Sequence, residues 1–325
     1  MPDTGYVFPA EWESHSATWL TWPHNRDTWP NNLVAAQREF ETLVRTLADV
    51  EQVNLLAHDE LSTELNRQFQ DNERITIFDI PSNDSWIRDY GPTFVKSSVD
   101  GSIAGINWSY DGWGEKYPPF DLDQQVAKHM LDACHVPRVL SPLILEGGAI
   151  DTNGKGTVMT TSTCQSRRNP EIGNRELASE LQQRLGMEQL LMLDSVEIEG
   201  DDTDGHIDQV ARFVCDKRIV VSRRQMPLVQ ASFDQQPASE SGFDLIPLPD
   251  PDEVRMFGSV LPTSYTNFYI ANGMVVVPRF GVAQDGEAVS VLADLFPDRF
   301  VISLPSRELA VGLGSFHCLT QQQPA

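Results

Sequence analysis

A single α/β domain follows from three features of the 325-residue chain. Short apolar runs of strand length alternate with helical periodicity from end to end. Apolar residues make up 40% and charged residues 22%, the balance of a globular chain able to bury a sizeable core. No Ser/Gly linker or block of like charge interrupts the alternation, so residues 1–325 are expected to form one domain. A strand-strand-helix-strand rhythm recurs, without a sequence repeat at a fixed period.

The aromatic, proline-broken opening through Trp12, Trp19 and Trp22 reads as strand and loop. Leu33, Phe40, Leu43, Val44 and Leu47 recur at helical spacing, with Asn31 or Asn32 as candidate caps. Val53–Ala57 reads as a buried strand, 62–70 as a helix and Ile75–Ile80 as a strand ended by Pro81. Asn83–Pro92 is a polar loop, and strands follow at 93–95 and 103–108. Gly112, Gly114, Pro118 and Pro119 mark 109–123 as a loop before a helix over 122–134. Leu143–Leu145 is a strand running into Glu146-Gly147-Gly148. Then come a strand at 157–163, a helix at 174–185 and a strand at 189–193. The acidic segment Glu197–Asp208 leads to strands at 210–214 and 219–222. Residues 223–262 are Pro- and Asp-rich and carry no clear pattern. Asn272-Gly273 turns a hairpin over 265–277. A helix at 287–295 and a strand at 300–304 precede the terminal run Gly312-Leu313-Gly314-Ser315-Phe316-His317-Cys318.

The net charge is −23, which disfavours nucleic-acid phosphate and suits small cations. Cys134, Cys164, Cys215 and Cys318 lie far apart, with neither zinc spacing nor a disulfide pattern. No apolar run reaches the ~18 residues of a membrane span, and no signal peptide opens the chain. A reducing cytoplasm is therefore the expected location.

Several stretches hold groups able to do chemistry. Cys318 follows a pair of glycines near the end of the chain; taken alone, it reads as a buried strand cysteine. The tail Gln321–Gln323 is expected to be unable to hold itself by burial. If 200–208 is extended, His206 and Asp208 project to one face; a solvated acidic turn is the equal alternative. A calcium loop fails, because Gly200 and Ala211 would occupy positions that need acids. If Trp86-Ile87-Arg88-Asp89 is extended, Arg88 and Asp89 point apart, leaving Arg88 to anchor the loop to a carboxylate. Glu146 either faces a cleft or simply ends a strand. Together, one thiol, one histidine and carboxylates at Asp89, Glu146, Asp202, Asp204 and Asp208 suit a planar cation with several N–H donors. A thiol beside a bound cation is a competent nucleophile, and histidine carries protons near neutral pH. Metal hydrolysis lacks a second histidine, and a serine hydrolase lacks its G-x-S-x-G turn.

The chain resembles the agmatine deiminase and bacterial peptidyl-arginine deiminase family of the guanidino-group-modifying superfamily. The resemblance rests on six separated motifs in order: 9–15, 83–92, 145–148, 203–208, 264–269 and 317–324. It implies a five-bladed pseudo-fivefold α/β propeller (pentein) with the site on its axis. It implies Cys318 as nucleophile, His206 as general acid and base, and Asp89 and Asp208 as guanidinium clamps. Glu146, Trp86, Trp113 and Asp202 are the further substrate contacts expected, with no metal or cofactor. The implied reaction hydrolyses agmatine, a small cationic guanidine, to N-carbamoylputrescine and ammonia, a step of polyamine metabolism; peptidyl or free arginine is the alternative, with Arg167 and Arg168 as its carboxylate anchors. A non-catalytic scaffold would have lost the Cys, the His or a clamp Asp. A homo-oligomer is compatible with the resemblance. Leu313 stands where the family usually continues a glycine run, and Asp202 where a glutamate is common.

Overall fold

The structure is a computed structural model and describes residues 5–195, 197–236 and 242–325. Among the described residues, five sheets share one connectivity, and one short hairpin stands apart from them. In each, a first strand pairs antiparallel with a second, and the second pairs parallel with a third reached through a helix.

In the unit entered at Thr93–Ser97, the partner strands are Ile103–Ser109 and Arg138–Ile144, joined through helix Asp123–Ala133. The next unit runs Ile150–Thr152, Thr157–Thr161 and Gln189–Leu193, with helix Asn174–Leu185. Ala211–Cys215, Arg218–Ser222 and Asp244–Leu248 follow, with helix Met226–Asp234. Then come Tyr269–Ala271, Met274–Arg279 and Phe300–Pro305, with helix Asp285–Leu295. The remaining unit joins the two chain ends. Thr320–Pro324 lies antiparallel to His15–Thr21, which pairs in parallel with Val53–Ala57 through helix Leu33–Ala48, and Ile75–Asp79 extends that sheet. These five units are the blades of the expected α/β propeller.

Local chemistry explains the elements. Helix Leu33–Ala48 buries Ala36, Phe40, Leu43, Val44 and Leu47, one stripe at helical period facing the sheet. Strand Val53–Ala57 is buried at every residue, as a parallel strand covered on both faces must be. Gly273 takes φ 71° at the hairpin turn between Ala271 and Met274.

Several expectations are corrected. Asn32 occupies the N-cap of its helix without capping it; its Nδ2 instead donates to Glu308 O at 3.1 Å. A helix Ser162–Arg168, unmarked in the sequence, follows strand Thr157–Thr161. The span 223–262 holds helix Met226–Asp234, strand Asp244–Leu248 and a short hairpin at Arg255–Met256 and Ser259–Val260; residues 237–241 of it lie outside the described residues. The glutamine tail is held firmly. Gln321 and Gln322 are buried, Gln322 Oε1 accepts from Arg88 Nη1 at 2.7 Å, and Gln323 Oε1 accepts from Trp19 Nε1 at 2.8 Å. A strand that completes a blade buries its amides through ladder pairing, which composition does not reveal.

Candidate active site

Each blade's first strand is entered through a short turn, and all five turns carry chemistry. They are the one-turn helices Ile87–Tyr90, Gly147–Ala149, Ile207–Gln209 and Tyr265–Asn267, and the turn over 316–319. Backbone bonds tie them together: Arg88 N donates to Cys318 O at 3.3 Å, and His317 N to Asn267 O at 3.2 Å. Gly148 N donates to Asp89 Oδ1 at 3.0 Å. Residues more than 200 positions apart thus converge at one place.

Gly148 marks the centre. A Cβ built on it would lie 2.7 Å from Asp89 Oδ1, 2.7 Å from His206 Nδ1 and 3.1 Å from Asp208 Oδ2. Only glycine leaves this space open to a ligand.

Cys318 is buried, with Sγ 3.5 Å from Asp208 Oδ2. Asn267 Nδ2 donates to Sγ at 3.0 Å, while Asn267 Oδ1 accepts from Cys318 N at 3.3 Å and His317 N at 3.1 Å. Burial pushes the thiol well above its ordinary range, and the Asp208 and Asp89 charges push it further; the Ser315 backbone and Asn267 pull it back. A bound cation reverses the carboxylate effect.

His206 is fully buried, and neither ring nitrogen has a hydrogen-bond partner among the described residues. Nδ1 lies 3.7 Å from Asp89 Oδ1 and Nε2 3.5 Å from Glu146 Oε2. Burial opposes a charge on this ring, but Asp89, Cys164 and Glu146 overcome it and hold the imidazole well above its usual range. Asp89 accepts from Trp113 Nε1 at 2.9 Å through Oδ2. Its carboxyl is raised to about 6, first by burial, with the His206 charge opposing and Asp208 and Glu146 adding to the rise. Asp208 is also fully buried and is held below the usual carboxylate range: burial raises it, and His317 first, then the His206 and Arg212 charges, bring it down. Its Oδ1 has no hydrogen-bond partner among the described residues.

A cleft of ≈ 820 Å³ opens onto this centre, walled by Trp86, Asp89, Trp113, Asp202, Leu313 and Cys318 among others. Gly314 approaches Trp86, and Gly312 approaches Trp29, so closely that a Cβ on either would clash with the indole. The left-handed conformation between them belongs to Leu313, at φ 74°. Trp113 is left-handed as well (φ 59°), in a turn where Asp111 Oδ1 accepts from Gly114 N at 2.8 Å. That strained turn aims the indole N–H at Asp89. Lys116 of the same loop bonds Asp204 Oδ2 at 2.8 Å, which ties the loop to the turn bearing Asp202.

Of the eight residues expected at the site, Trp86, Asp89, Trp113, Asp202 and Cys318 line the cleft, while His206, Asp208 and Glu146 lie buried beyond its wall, the first two beside Gly148. Ile87–Tyr90 is a helical turn, not extended chain; it sends Asp89 to the cleft and Arg88 inward to Glu11 Oε2 at 3.4 Å. His206 precedes a 3-10 turn and is not on a strand, so the two-residue alternation that paired it with Asp208 does not apply. Glu146 stands behind His206 and is fully buried, with Arg168 Nε at 2.5 Å. Arg168 is no surface cation: it also bonds Asp204 Oδ2 at 2.6 Å and Thr203 O at 3.0 Å. Arg167 is exposed and pairs with Asp204. Glu146, Cys164 and His206 bring one potential metal-ligand atom each within 4.8 Å of one another. The Arg168 charge already neutralises Glu146, which leaves that trio suited to a protonated His206 more than to a divalent cation.

Sequence reasoning missed the parts played by Asn267, His317 and Tyr117, the last sharing the cleft wall with Asp202. The available signal was positional: Asn267 fills the same pre-strand slot as Asp89, Gly148 and Asp208.

Comparison with known proteins agrees with this geometry. The family model described as Porphyromonas-type peptidyl-arginine deiminase matches residues 7–324. The agmatine deiminase of Stutzerimonas stutzeri is 33% identical, covering 99% of this chain and 96% of its own length; that of Medicago truncatula is also 33% identical, at 99% and 97%. Among solved structures, the agmatine deiminase of Enterococcus faecalis superposes with a TM-score of 0.89 at 27% identity, covering 98% of this chain and 96% of that one. A cysteine-to-serine variant of C. Jejuni agmatine deiminase with substrate bound matches at 0.89 and 26%, with the same coverage. On a match that runs almost from end to end, the chain belongs to the Porphyromonas-type peptidyl-arginine deiminase family.

Proposed function

We propose that this enzyme hydrolyses agmatine to N-carbamoylputrescine and ammonia through a covalent intermediate on Cys318. The observation that carries the reading is the convergence of Cys318, His206, Asp89 and Asp208 on the space kept open by Gly148. The unpartnered Asp208 Oδ1 and the Asp89 carboxylate are acceptors for the N–H groups of a guanidinium. Relatives named as agmatine deiminases support the substrate.

The guanidinium binds between Asp89 and Asp208. Its charge offsets the two carboxylates that hold the Cys318 thiol protonated, so the thiol gives its proton to solvent in the cleft as substrate enters. The thiolate attacks the guanidinium carbon and forms a C–S bond. His206, an imidazolium, gives its proton to the departing nitrogen, and ammonia leaves. The amidino-thioether remains on Cys318. His206, now neutral, takes a proton from water, the hydroxide adds to the same carbon, and the C–S bond breaks as the hydroxyl proton passes to the departing sulfur, which restores the thiol and releases the ureido product. No step consumes an oxidant or reductant. Asp202, Asp84 and Asp27 outnumber Arg26 on the cleft wall, which favours an amine tail over a carboxylate one. Arg168, engaged with Glu146 and Asp204, is not available to anchor an arginine carboxylate.

Four free cysteines suit a reducing cytoplasm, our proposed location. No helix among the described residues is long and apolar enough to cross a membrane.

The test is ammonia and ureido release from agmatine, free arginine and a blocked arginine amide, side by side. Turnover of agmatine well above the other two is expected. Preferential turnover of the blocked arginine would overturn the substrate. Cys318→Ser should keep its melting temperature and lose turnover; retained activity removes the nucleophile assignment.

A further inference from the structure

His317, the residue before the nucleophile, has a ring bonded at both ends. Nδ1 lies 2.8 Å from Asp208 Oδ2, and Nε2 lies 3.0 Å from Glu11 Oε2. The side chain is buried. A neutral imidazole has one N–H and can donate to only one of these carboxylates; the form that serves both is the imidazolium. The ring is also anchored by its backbone. His317 N donates to Asn267 Oδ1 at 3.1 Å, and His317 O accepts from Arg88 Nε at 3.2 Å.

The ring belongs to a buried network of paired charges. Glu11 also meets Arg212 Nη2 at 2.9 Å and Arg88 Nη2 at 3.4 Å, and Arg212 Nε lies 3.3 Å from Asp151 Oδ2. Three carboxylates (Glu11, Asp151, Asp208) thus face three cations (Arg88, Arg212, His317). On the other side of Asp208 stand the Cys318 thiol, Asp89 and His206. With a neutral ring, Asp208 would keep a thiol and a second carboxylate as neighbours and lose the cation bonded to it, leaving His206 and Arg212 to act on it without a hydrogen bond. Its carboxylate would be less firmly ionised and less firmly aimed.

We propose that His317 is a positioning residue: an imidazolium held between Glu11 and Asp208 that keeps the Asp208 carboxylate ionised and aimed at the substrate cation. Asp208 Oδ2 is occupied by His317, while Oδ1 stays free for the guanidinium. The proposal rests on the reading of Asp208 as a guanidinium clamp.

Two measurements test it. The first is the ring-nitrogen NMR spectrum of the wild-type enzyme labelled with 15N-histidine, recorded without substrate in the assay buffer. His317 is expected to show an N–H on both ring nitrogens, one donated to Asp208 and one to Glu11. A neutral His317 tautomer overturns the proposal. Because no turnover is involved, this result is separate from the fate of the agmatine assignment. The second measurement uses His317→Gln, which keeps one N–H and removes the charge. The expected outcome is a rise in KM for agmatine of about tenfold or more. A purely structural role would lower the melting temperature and leave KM in place. A folded His317→Gln with wild-type KM overturns the proposal; if that variant does not fold, the wild-type spectrum decides alone.

Discussion

Placing one methyl group at the centre of the site, by Gly148→Ala, separates the geometry of catalysis from the stability of the fold. Gly148 has no positive φ, so alanine is compatible with its backbone. The new Cβ would sit 2.7 Å from both Asp89 Oδ1 and His206 Nδ1, which is 0.7 Å (3.4 less 2.7) short of the 3.4 Å where ordinary contact begins. Asp89 and His206 must each give way, or the turn must shift. Over-packing of this size costs about 1–3 kcal/mol of stability, which the fold can absorb as a small fall in Tm. The catalytic loss should be larger in consequence. The methyl occupies the space where the guanidinium must lie, and a displacement near 1 Å of reacting groups costs about 10²-fold. We expect kcat/KM for agmatine to fall by at least about 10²-fold, or about 2.7 kcal/mol of transition-state stabilisation. The assay pairs ammonia release with thermal melting. Gly147→Ala is the contrasting variant: its Cβ would run into the Arg88 carbonyl oxygen, a backbone clash that should impair folding itself. A Gly148→Ala enzyme that melts like wild type and keeps a third of its kcat/KM would refute the placement of the guanidinium beside Gly148.

Trp113→Phe removes the N–H that donates to Asp89 Oδ2 at 2.9 Å. Asp89, already raised to about 6, should rise further, so the acidic limb of the pH–rate profile should move up by about one unit; an unmoved limb would detach Asp89 from that limb. Burial raises Asp123 to about 8, so the folded state holds a proton that the unfolded chain releases near pH ~4. Stability contributed by that proton is full at low pH and is lost as pH rises from there to about 8. Asp123→Asn should therefore melt higher than wild type by a few degrees at pH ~8.5 and show no advantage at pH ~4.5; an equal gain at both would refute the shift. Leu313, left-handed at φ 74°, should tolerate Gly far better than Val. The β-branched residue is a true outlier there, and denaturant unfolding should show at least about 1 kcal/mol between the two variants.

Much of this protein is decided by local chemistry, and the sequence displays it. Helix Leu33–Ala48, strand Val53–Ala57 and the Asn272-Gly273 hairpin follow from side-chain period and turn type, because each element buries one face or turns at a residue free to take positive φ. The residue types of the site, a thiol, a histidine and several carboxylates, are equally legible, since the chemistry of a planar cation limits the choice. Their arrangement is not. His206 and Asp208 meet through a 3-10 turn where alternation suggested a strand, and Glu146 supports His206 from behind while it is neutralised by Arg168. The glutamine tail looks solvated in composition yet is a buried strand, because its partner is His15–Thr21, some 300 residues away. The roles of Asn267 and His317 exist only once the pre-strand turns of different blades share one axis. Hydrogen-bond partners and buried charges depend on which distant segments become neighbours. That is set by the packing of the whole ring of blades, and no local pattern in the chain encodes it.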